Sequence, residues 1–394
     1  MLPLLSSSLV SLLHPYITGD YLTGEMASEL ASIAERLAAP GKGILASDES
    51  TGTIGKRLEK AGLPNTEDIR RAYRELLYTT PGLGQYISGV IMFKETLHQA
   101  TSDGRRFTEV LQQEGILPGI KVDEGLAPLP GGGEGETFTR GLEGLREACG
   151  EYVRAGARFA KWRATLKVTD QLPSPAAVQR NAEDLAAYAK ICQDCGLVPI
   201  VEPELLIDGD HSQERFAAAS QQVLSAVVSC LLSSGVALEG CLLKPQMVLP
   251  GADATGGGAG PEQVARATVE VMRRVIPPAL PGILFLSGGQ SEEQATANLD
   301  AINRHARQVG RCPWALSFSF GRALQASVLK LWSADRTSVA PAQHLALQLA
   351  RVNSEAALGR YAGGQEGGQP HPSRLSAESL RENFRGWGGQ QPPK

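Results

Sequence analysis

Leu238-Glu-Gly-Cys-Leu-Leu-Lys-Pro-Gln-Met-Val248 is a mostly apolar run that carries an amine, Lys244, in its middle. As a buried strand it places an ammonium where burial without a partner costs several kcal/mol, on the order of 2–7 for a polar group and more for a charge. A buried lysine tends to lose its proton, and the neutral amine attacks carbonyls to form Schiff bases. The pattern recurs. Phe159-Ala-Lys-Trp-Arg-Ala-Thr-Leu166 carries Lys161 and Arg163, Val198-Pro-Ile-Val-Glu-Pro-Glu-Leu205 carries Glu202 and Glu204, and Gly119-Ile-Lys-Val-Asp123 carries Lys121 and Asp123. Residues i and i+2 of a strand share a face, so Lys161 projects with Arg163, and Glu202 with Glu204. Four apolar strands that send charge to one side describe a shared polar site.

Outward from these runs, short apolar segments alternate with helical patterns. The spacing predicts strands at 43–47, 87–93, 119–123, 159–166, 198–205, 238–248, 281–287 and 315–320. Amphipathic stretches lie between them, and two more follow the last strand. Eight strand–helix units predict an α/β fold, a single (β/α)8 TIM barrel with a flexible C-terminal tail. An open doubly wound sheet is the other arrangement, but the glycine fingerprint expected after its first strand is missing. Gly131-Gly-Gly-Glu-Gly135 and Gly256-Gly-Gly-Ala-Gly260 read as surface loops. The barrel is expected over 26–362. Residues 1–25 read as an N-terminal extension outside the fold, without the basic start of a secretory signal or the arginines of a transit peptide. Residues 363–394, rich in Gly, Gln, Pro and Ser, read as a mobile tail.

The chain has 394 residues, 42% of them hydrophobic and 20% charged, with a net charge of −4 and no long basic run. That balance argues against nucleic acid as a partner. The apolar run at the N-terminus is too short to span a bilayer, so no transmembrane segment is expected. Cys192 and Cys195 form a C-x-x-C, but they continue the stripe Val178, Ala182, Leu185, Ala189, which reads as packing rather than redox or metal chemistry. A reducing, cytoplasmic setting fits cysteines without a disulfide framework. The six histidines show no metal-ligand spacing, so neither metal nor cofactor is expected.

In a barrel, active sites form at the C-terminal strand ends. Asp48 follows the first strand, Lys121 and Asp123 end the third, Lys161 and Arg163 lie in the fourth, Glu202 and Glu204 in the fifth, and Lys244 in the sixth. Any one of them alone reads equally as a solvated strand end or a structural pair, and Asp123 reads well as a loop cap. Taken together, inward charges are too costly to be incidental. A cationic neighbour such as Lys161 or Arg163 favours the neutral amine at Lys244, Glu202 is placed to shuttle protons, and Asp48 to take a hydroxyl proton. Ser287-Gly288-Gly289 after strand seven and Gly321-Arg322 after strand eight read as an anion cradle. Ser50, Thr53, Lys56 and Arg57 follow strand one; with Lys121 they form a second, although Lys56 and Arg57 alone read as a solvated helix face. Two cradles around one reactive lysine predict a substrate with a phosphate at each end.

Gly41-Lys-Gly-Ile-Leu-Ala-Ser-Asp-Glu-Ser-Thr-Gly52, Phe159-Ala-Lys-Trp-Arg163, Val201-Glu-Pro-Glu204, Leu242-Leu-Lys-Pro245, Phe285-Leu-Ser-Gly-Gly-Gln290 and Ser319-Phe-Gly-Arg-Ala-Leu-Gln325 together closely resemble class I fructose-bisphosphate aldolase, from about Met26 to Tyr361. The resemblance implies a (β/α)8 barrel, a Schiff base at Lys244, reversible cleavage of fructose 1,6-bisphosphate in glycolysis and gluconeogenesis, and a homotetramer. It implies acid/base and electrostatic roles for Asp48, Lys161, Glu202 and Glu204. Ser287, Gly288 and Arg322 would bind one phosphate, and Ser50, Thr53, Arg57 and Lys121 would serve the other end. Three positions depart from the family's pattern. Gln246 stands in place of asparagine, Thr53 in place of a common serine, and Trp387 roughly where animal enzymes end in a tyrosine that assists proton exchange. Glu378-Ser-Leu380 resembles the run before that tyrosine, but an indole cannot relay a proton as a phenol does. A transaldolase-like transferase and an aldolase-fold scaffold with cytoskeletal or membrane partners are the other readings; two phosphate cradles argue against the first, and the second predicts a damaged site.

Overall fold

Strands that are apolar on both faces need cover on both, and here side chains fill the inside while helices cover the outside. The computed structural model describes residues 24–255, 258–363 and 371–372. Its strands are β1 (Gly43–Ser47), β2 (Ile87–Met92), β3 (Leu117–Lys121), β4 (Leu126–Pro128), β5 (Thr137–Thr139), β6 (Phe159–Leu166), β7 (Val198–Leu205), β8 (Leu242–Leu243), β9 (Gly282–Phe285) and β10 (Ala315–Phe320). Eight of them run parallel and close into a barrel in the order β1, β10, β9, β8, β7, β6, β3, β2. This is the (β/α)8 barrel that the alternating pattern predicts.

Most strands fall within two residues of their expected bounds. The exception is the run 238–248. Leu238–Gly240 is a single 3-10 turn, and β8 proper is only Leu242–Leu243. Pairing extends one residue further, because the Lys244 amide donates to the Val201 carbonyl at 2.8 Å. Pro245 then ends it, having no N–H to offer. The glycine run 131–135 is also more than a loop. It turns the antiparallel hairpin of β4 and β5, which seats on the end of β6. Thr139 Oγ1 donates to the Arg163 carbonyl at 2.8 Å, and Thr137 Oγ1 meets Thr165 Oγ1 at 2.9 Å.

Five of the described helices begin where the sequence supplies a cap. Ser50, Thr66, Ser174, Ser212 and Ser291 each accept a hydrogen bond from the backbone N–H three residues on. Such a cap contributes about 1 kcal/mol. The first described helix, Gly24–Leu37, includes two residues ahead of the expected start of the barrel region at 26. It closes the N-terminal end of the barrel by laying Leu30, Ile33 and Leu37 against Ile44, Phe159 and Leu242. Gln213–Ser233 is long and apolar enough to cross a membrane by length and composition. In this fold it is a barrel helix that buries Phe216, Val223, Val227 and Leu231.

Three residues within the expected tail are described, Gly363, His371 and Pro372. His371 is buried, its Nε2 lies 3.1 Å from Thr296 Oγ1, and its ring meets that of Tyr361 edge-on. Trp387, Glu378 and nearly all of the expected extension at 1–25 lie outside the described residues.

Candidate active site

Alternation within β6 sorts its side chains. Trp162 points outward and stacks on Tyr188 of the Pro175–Asp194 helix, with ring centroids 5.5 Å apart. Lys161 and Arg163 therefore point inward. Register raises them to the mouth: Lys161 pairs with Lys121, the last residue of β3, so the rest of β6 extends beyond its neighbour. Glu202 of β7 is level with Arg163. The Lys244 amide bonds one residue below it, at Val201.

The charges meet in a buried chain. Lys244 Nζ lies 3.1 Å from Glu202 Oε1, Lys161 Nζ lies 3.2 Å from Glu202 Oε2, and Lys161 Nζ lies 2.7 Å from Asp48 Oδ2. Each of these side chains is at most 13% exposed. One carboxylate thus bridges two lysines. The direct neighbour of Lys244 is an anion, where the sequence led us to expect a cation, because Glu202 lies between Lys244 and Lys161.

This packing sets protonation. Burial opposes ionisation of Asp48, but the Lys161, Lys244 and Lys121 charges outweigh it and hold the carboxyl well below its ordinary range. Burial likewise opposes the charge on Lys161, and Asp48, Glu202 and Asp123 overcome it, holding the ammonium charged well above the ordinary lysine range. Lys161 is thus a fixed cation. Arg163 pairs with Glu204 through its Nε, and that contact, against the cost of burial, keeps its guanidinium charged.

The cradle after β9 and β10 is built from backbone. Gly289 has φ +72°, a conformation that side chains rarely adopt. A Cβ on Gly288 would come within 3.1 Å of Gln246 Nε2 and 3.2 Å of Glu204 Oε1, so this loop packs directly on the site. Gln246 fixes it by donating from Nε2 to the Gly288 carbonyl at 2.9 Å. Ser287 is buried beside them. Gly321 caps the Arg322–Ala334 helix. Burial and the neighbouring Arg57 and Arg163 charges push the Arg322 guanidinium down to about 9, while Glu204 counters them. Crowded guanidiniums of this kind are relieved by an anion.

The second group is looser. Ser50 Oγ lies 3.1 Å from Thr53 Oγ1 at the start of the Thr51–Lys60 helix, and Thr53 is exposed. Lys56 is exposed on the solvated face. Lys121 Nζ is 2.6 Å from Asp123 Oδ1. Asp123 also accepts from the Gly125 amide, which is the loop-capping role expected for it. Arg57 Nη1 is bound to Glu49 Oε1 at 2.5 Å.

Glu49 and Arg74 were not among the expected site residues. Glu49 follows Asp48 and holds Arg57 on one oxygen and Arg74 on the other, the latter at 2.6 Å. Gln325 Nε2 donates to it at 3.1 Å and to the Ala46 carbonyl at 2.8 Å, tying β1 to the turn after β10. Arg74 sits in the Glu67–Tyr78 helix among Arg70 and Arg71 and reads from the sequence as one more solvated charge. Only its place on the helix stripe with Tyr73, Leu77 and Tyr78, all buried, signals otherwise. Among the described residues no cluster of three His, Cys, Asp or Glu side chains is arranged to hold a metal ion.

The closed parallel barrel carries its buried lysine–carboxylate cluster at the C-terminal strand ends, where enzymes of this fold place their active sites. The family model for class-I fructose-bisphosphate aldolase matches residues 29–379. The chain is 52% identical over 359 residues to the cytosolic fructose-bisphosphate aldolase 5 of Arabidopsis thaliana, covering 91% of this chain and 97% of that one. It is 50% identical over 355 residues to the fructose-bisphosphate aldolase of Dictyostelium discoideum, with coverage of 89% and 98%. It superposes on the fructose-bisphosphate aldolase of Plasmodium falciparum, solved in complex with TRAP and a small-molecule inhibitor. The TM-score is 0.84 at 50% identity, covering 88% of this chain and 98% of that one. The chain belongs to the class-I fructose-bisphosphate aldolase family, and it is a lyase.

Proposed function

We propose that Lys244 carries the cleavage of fructose 1,6-bisphosphate to dihydroxyacetone phosphate and glyceraldehyde 3-phosphate in this cytoplasmic, glycolytic aldolase. The observation that supports it is the chain Lys244–Glu202–Lys161–Asp48, which places a proton acceptor 3.1 Å from the amine and an ionised base beyond it. Glu202 takes a proton from Lys244, and the free amine adds to the ketone carbon. Glu202 returns a proton to the departing hydroxyl as water leaves, giving an iminium. The iminium withdraws electrons from the neighbouring carbon–carbon bond while Asp48 accepts the proton of the hydroxyl on the far carbon. The aldehyde product departs, the enamine takes up a proton, and water releases the ketone. Lys161 stays charged throughout and orients both carboxylates, while Glu204 holds Arg163 beside the cradle.

Ser287, Gly288, Gly289, Gly321 and Arg322 are assigned to one phosphate, and Ser50, Thr53, Arg57 and Lys121 to the other, with Arg163 between them. Arg57 must exchange part of its contact with Glu49 for the substrate. Residues 26–362 form the catalytic unit in this reading, with 1–25 and 363–394 as appendages. The enzyme is assigned as a homotetramer on the family resemblance, which light scattering tests. The test of the chemistry is borohydride reduction with dihydroxyacetone phosphate, followed by peptide mass mapping. Mass added at Lys244 with loss of activity is expected; labelling of Lys161 or Lys121 with Lys244 untouched overturns the assignment.

A further inference from the structure

The stripe that the sequence assigned to packing is buried through Val178, Ala182, Leu185, Ala189 and Cys192. Cys195 departs from it. It is the C-cap of the Pro175–Asp194 helix and is half-exposed, because the helix ends there and Gly196 turns the chain away with φ +79°. Its thiol points at the neighbouring Leu145–Arg154 helix, with Sγ 3.7 Å from the Arg146 carbonyl. Cys149 lies three residues after Arg146, on the same face of that helix. Cys149 is fully buried, and its Sγ lies 3.9 Å from that of Cys192. Three thiols therefore meet where two helices abut, and one of them reaches solvent. Ion pairs hold the junction together: Asp194 takes Arg146 at 2.9 Å on one oxygen and Lys190 on the other.

We propose that this junction is a thiol oxidation site, in which a peroxide oxidises Cys195 and Cys149 resolves it to a Cys149–Cys195 disulfide. In the first step the Cys195 sulfur attacks the peroxide, the O–O bond breaks, and Cys195 becomes a sulfenic acid as one alcohol or water leaves. In the second, the Cys149 sulfur attacks the Cys195 sulfur, the S–O bond breaks, and water carries away the hydroxyl and the Cys149 proton. The two thiols lose two electrons, and the peroxide gains them. Cys149 Sγ is 3.9 Å from Cys192 Sγ, and Cys195 stands on the adjoining terminal turn, so its side chain must swing toward Cys149 until the two sulfurs close to about 2.0 Å. Hydrogen bonding from Cys192, working against burial, with help from Cys195 and the Arg146 charge, holds the Cys149 thiol below its ordinary range, which suits the attacking sulfur. Burial pushes both Cys192 and Cys195 the other way; Cys192 is fully enclosed and serves as a hydrogen-bonding neighbour, while Cys195 meets the peroxide because it reaches solvent. The site is remote from the barrel mouth and independent of the assignment of Lys244.

The test treats the full chain with hydrogen peroxide, blocks the remaining thiols by alkylation, and maps the tryptic peptides. Cys149 lies on the peptide 147–154, and Cys192 and Cys195 both lie on 191–215, so fragmentation of the linked pair identifies the partner. A Cys149–Cys195 link, reversed by dithiothreitol, is expected. Cys195→Ser is expected to turn over normally before oxidation and to leave Cys149 and Cys192 reduced under the same treatment. Cys149→Ala is expected to trap Cys195 as a dimedone-reactive sulfenic acid. A Cys149–Cys192 link formed equally well in Cys195→Ser overturns the proposal, as does Cys195 passing to the sulfinic acid in the wild-type chain with Cys149 still alkylatable.

Discussion

Lys161 Nζ lies 2.7 Å from Asp48 Oδ2, so the first residue after the first barrel strand is ion-paired to the third residue of β6. Neither residue is a neighbour of the other in sequence or in the strand ladder. The pair exists because the barrel closes, and it keeps Asp48 ionised at the point where a base is needed.

Asp48→Asn keeps the shape of the side chain and removes its basicity. We expect the imine to form and be trapped by borohydride at Lys244 as before. Cleavage of the bisphosphate should fall about 10²–10⁴-fold, the usual contribution of a general base. Single-turnover kinetics beside the trapping assay measure both, and cleavage at near wild-type rate would remove Asp48 from this step.

Glu49→Gln leaves the Arg74 guanidinium buried opposite a neutral amide. Breaking a buried pair from one side costs about 3–5 kcal/mol, read as a lower midpoint in urea. Against the opposing effect of burial, Arg57 and Arg74 hold the Glu49 carboxyl below the ordinary glutamate value of 4.5. Its contribution is therefore complete above that pH and is lost as pH falls through the lower folded value. The gap between wild type and Glu49→Gln should stay level from pH 8 to pH 5 and narrow below about pH 4.5. A gap that widens in acid would refute the pairing.

Gln246→Ala frees the Gly288 carbonyl and with it the loop Ser287–Gly289. The expected effect falls on binding: KM for fructose 1,6-bisphosphate should rise about tenfold, roughly 1.4 kcal/mol, with kcat less affected. Gln246→Asn should recover part of the loss, since the amide is kept. If kcat falls and KM does not move, Gln246 serves the lysine and not the cradle.

Prolonged EDTA treatment should leave turnover unchanged, because a lysine imine supplies the electron sink that a metal would otherwise provide. A loss of activity restored by added zinc would contradict the Schiff-base route.

A chain ending at Gly363 loses the buried His371–Thr296 contact along with Trp387. An indole offers no acidic proton, so proton exchange into dihydroxyacetone phosphate should change by less than about tenfold, or 1.4 kcal/mol of barrier. A larger drop would place the tail in the protonation step.

The sequence by itself determined the order of the strands, the inward faces of β6 and β7, and the charged residues on them. A two-residue period on an apolar background leaves little freedom in those choices. It also determined the helix starts at Ser50, Thr66, Ser174, Ser212 and Ser291, since serine and threonine caps are local signals. The tertiary structure alone decided who meets whom. Strand stagger sets Lys161 beside Lys121 and Arg163 beside Glu202, and closure brings Asp48 and Gln325 to the same mouth. It also decided that the apolar run 238–248 begins as a 3-10 turn and pairs as a strand only over Leu242–Leu243, with one further bond from the Lys244 amide. Glu202 came to bridge two lysines, and Arg74 became a buried partner of Glu49. Periodicity tells which way a side chain points, but the partner that balances a buried charge comes from another strand or helix, and only packing selects it.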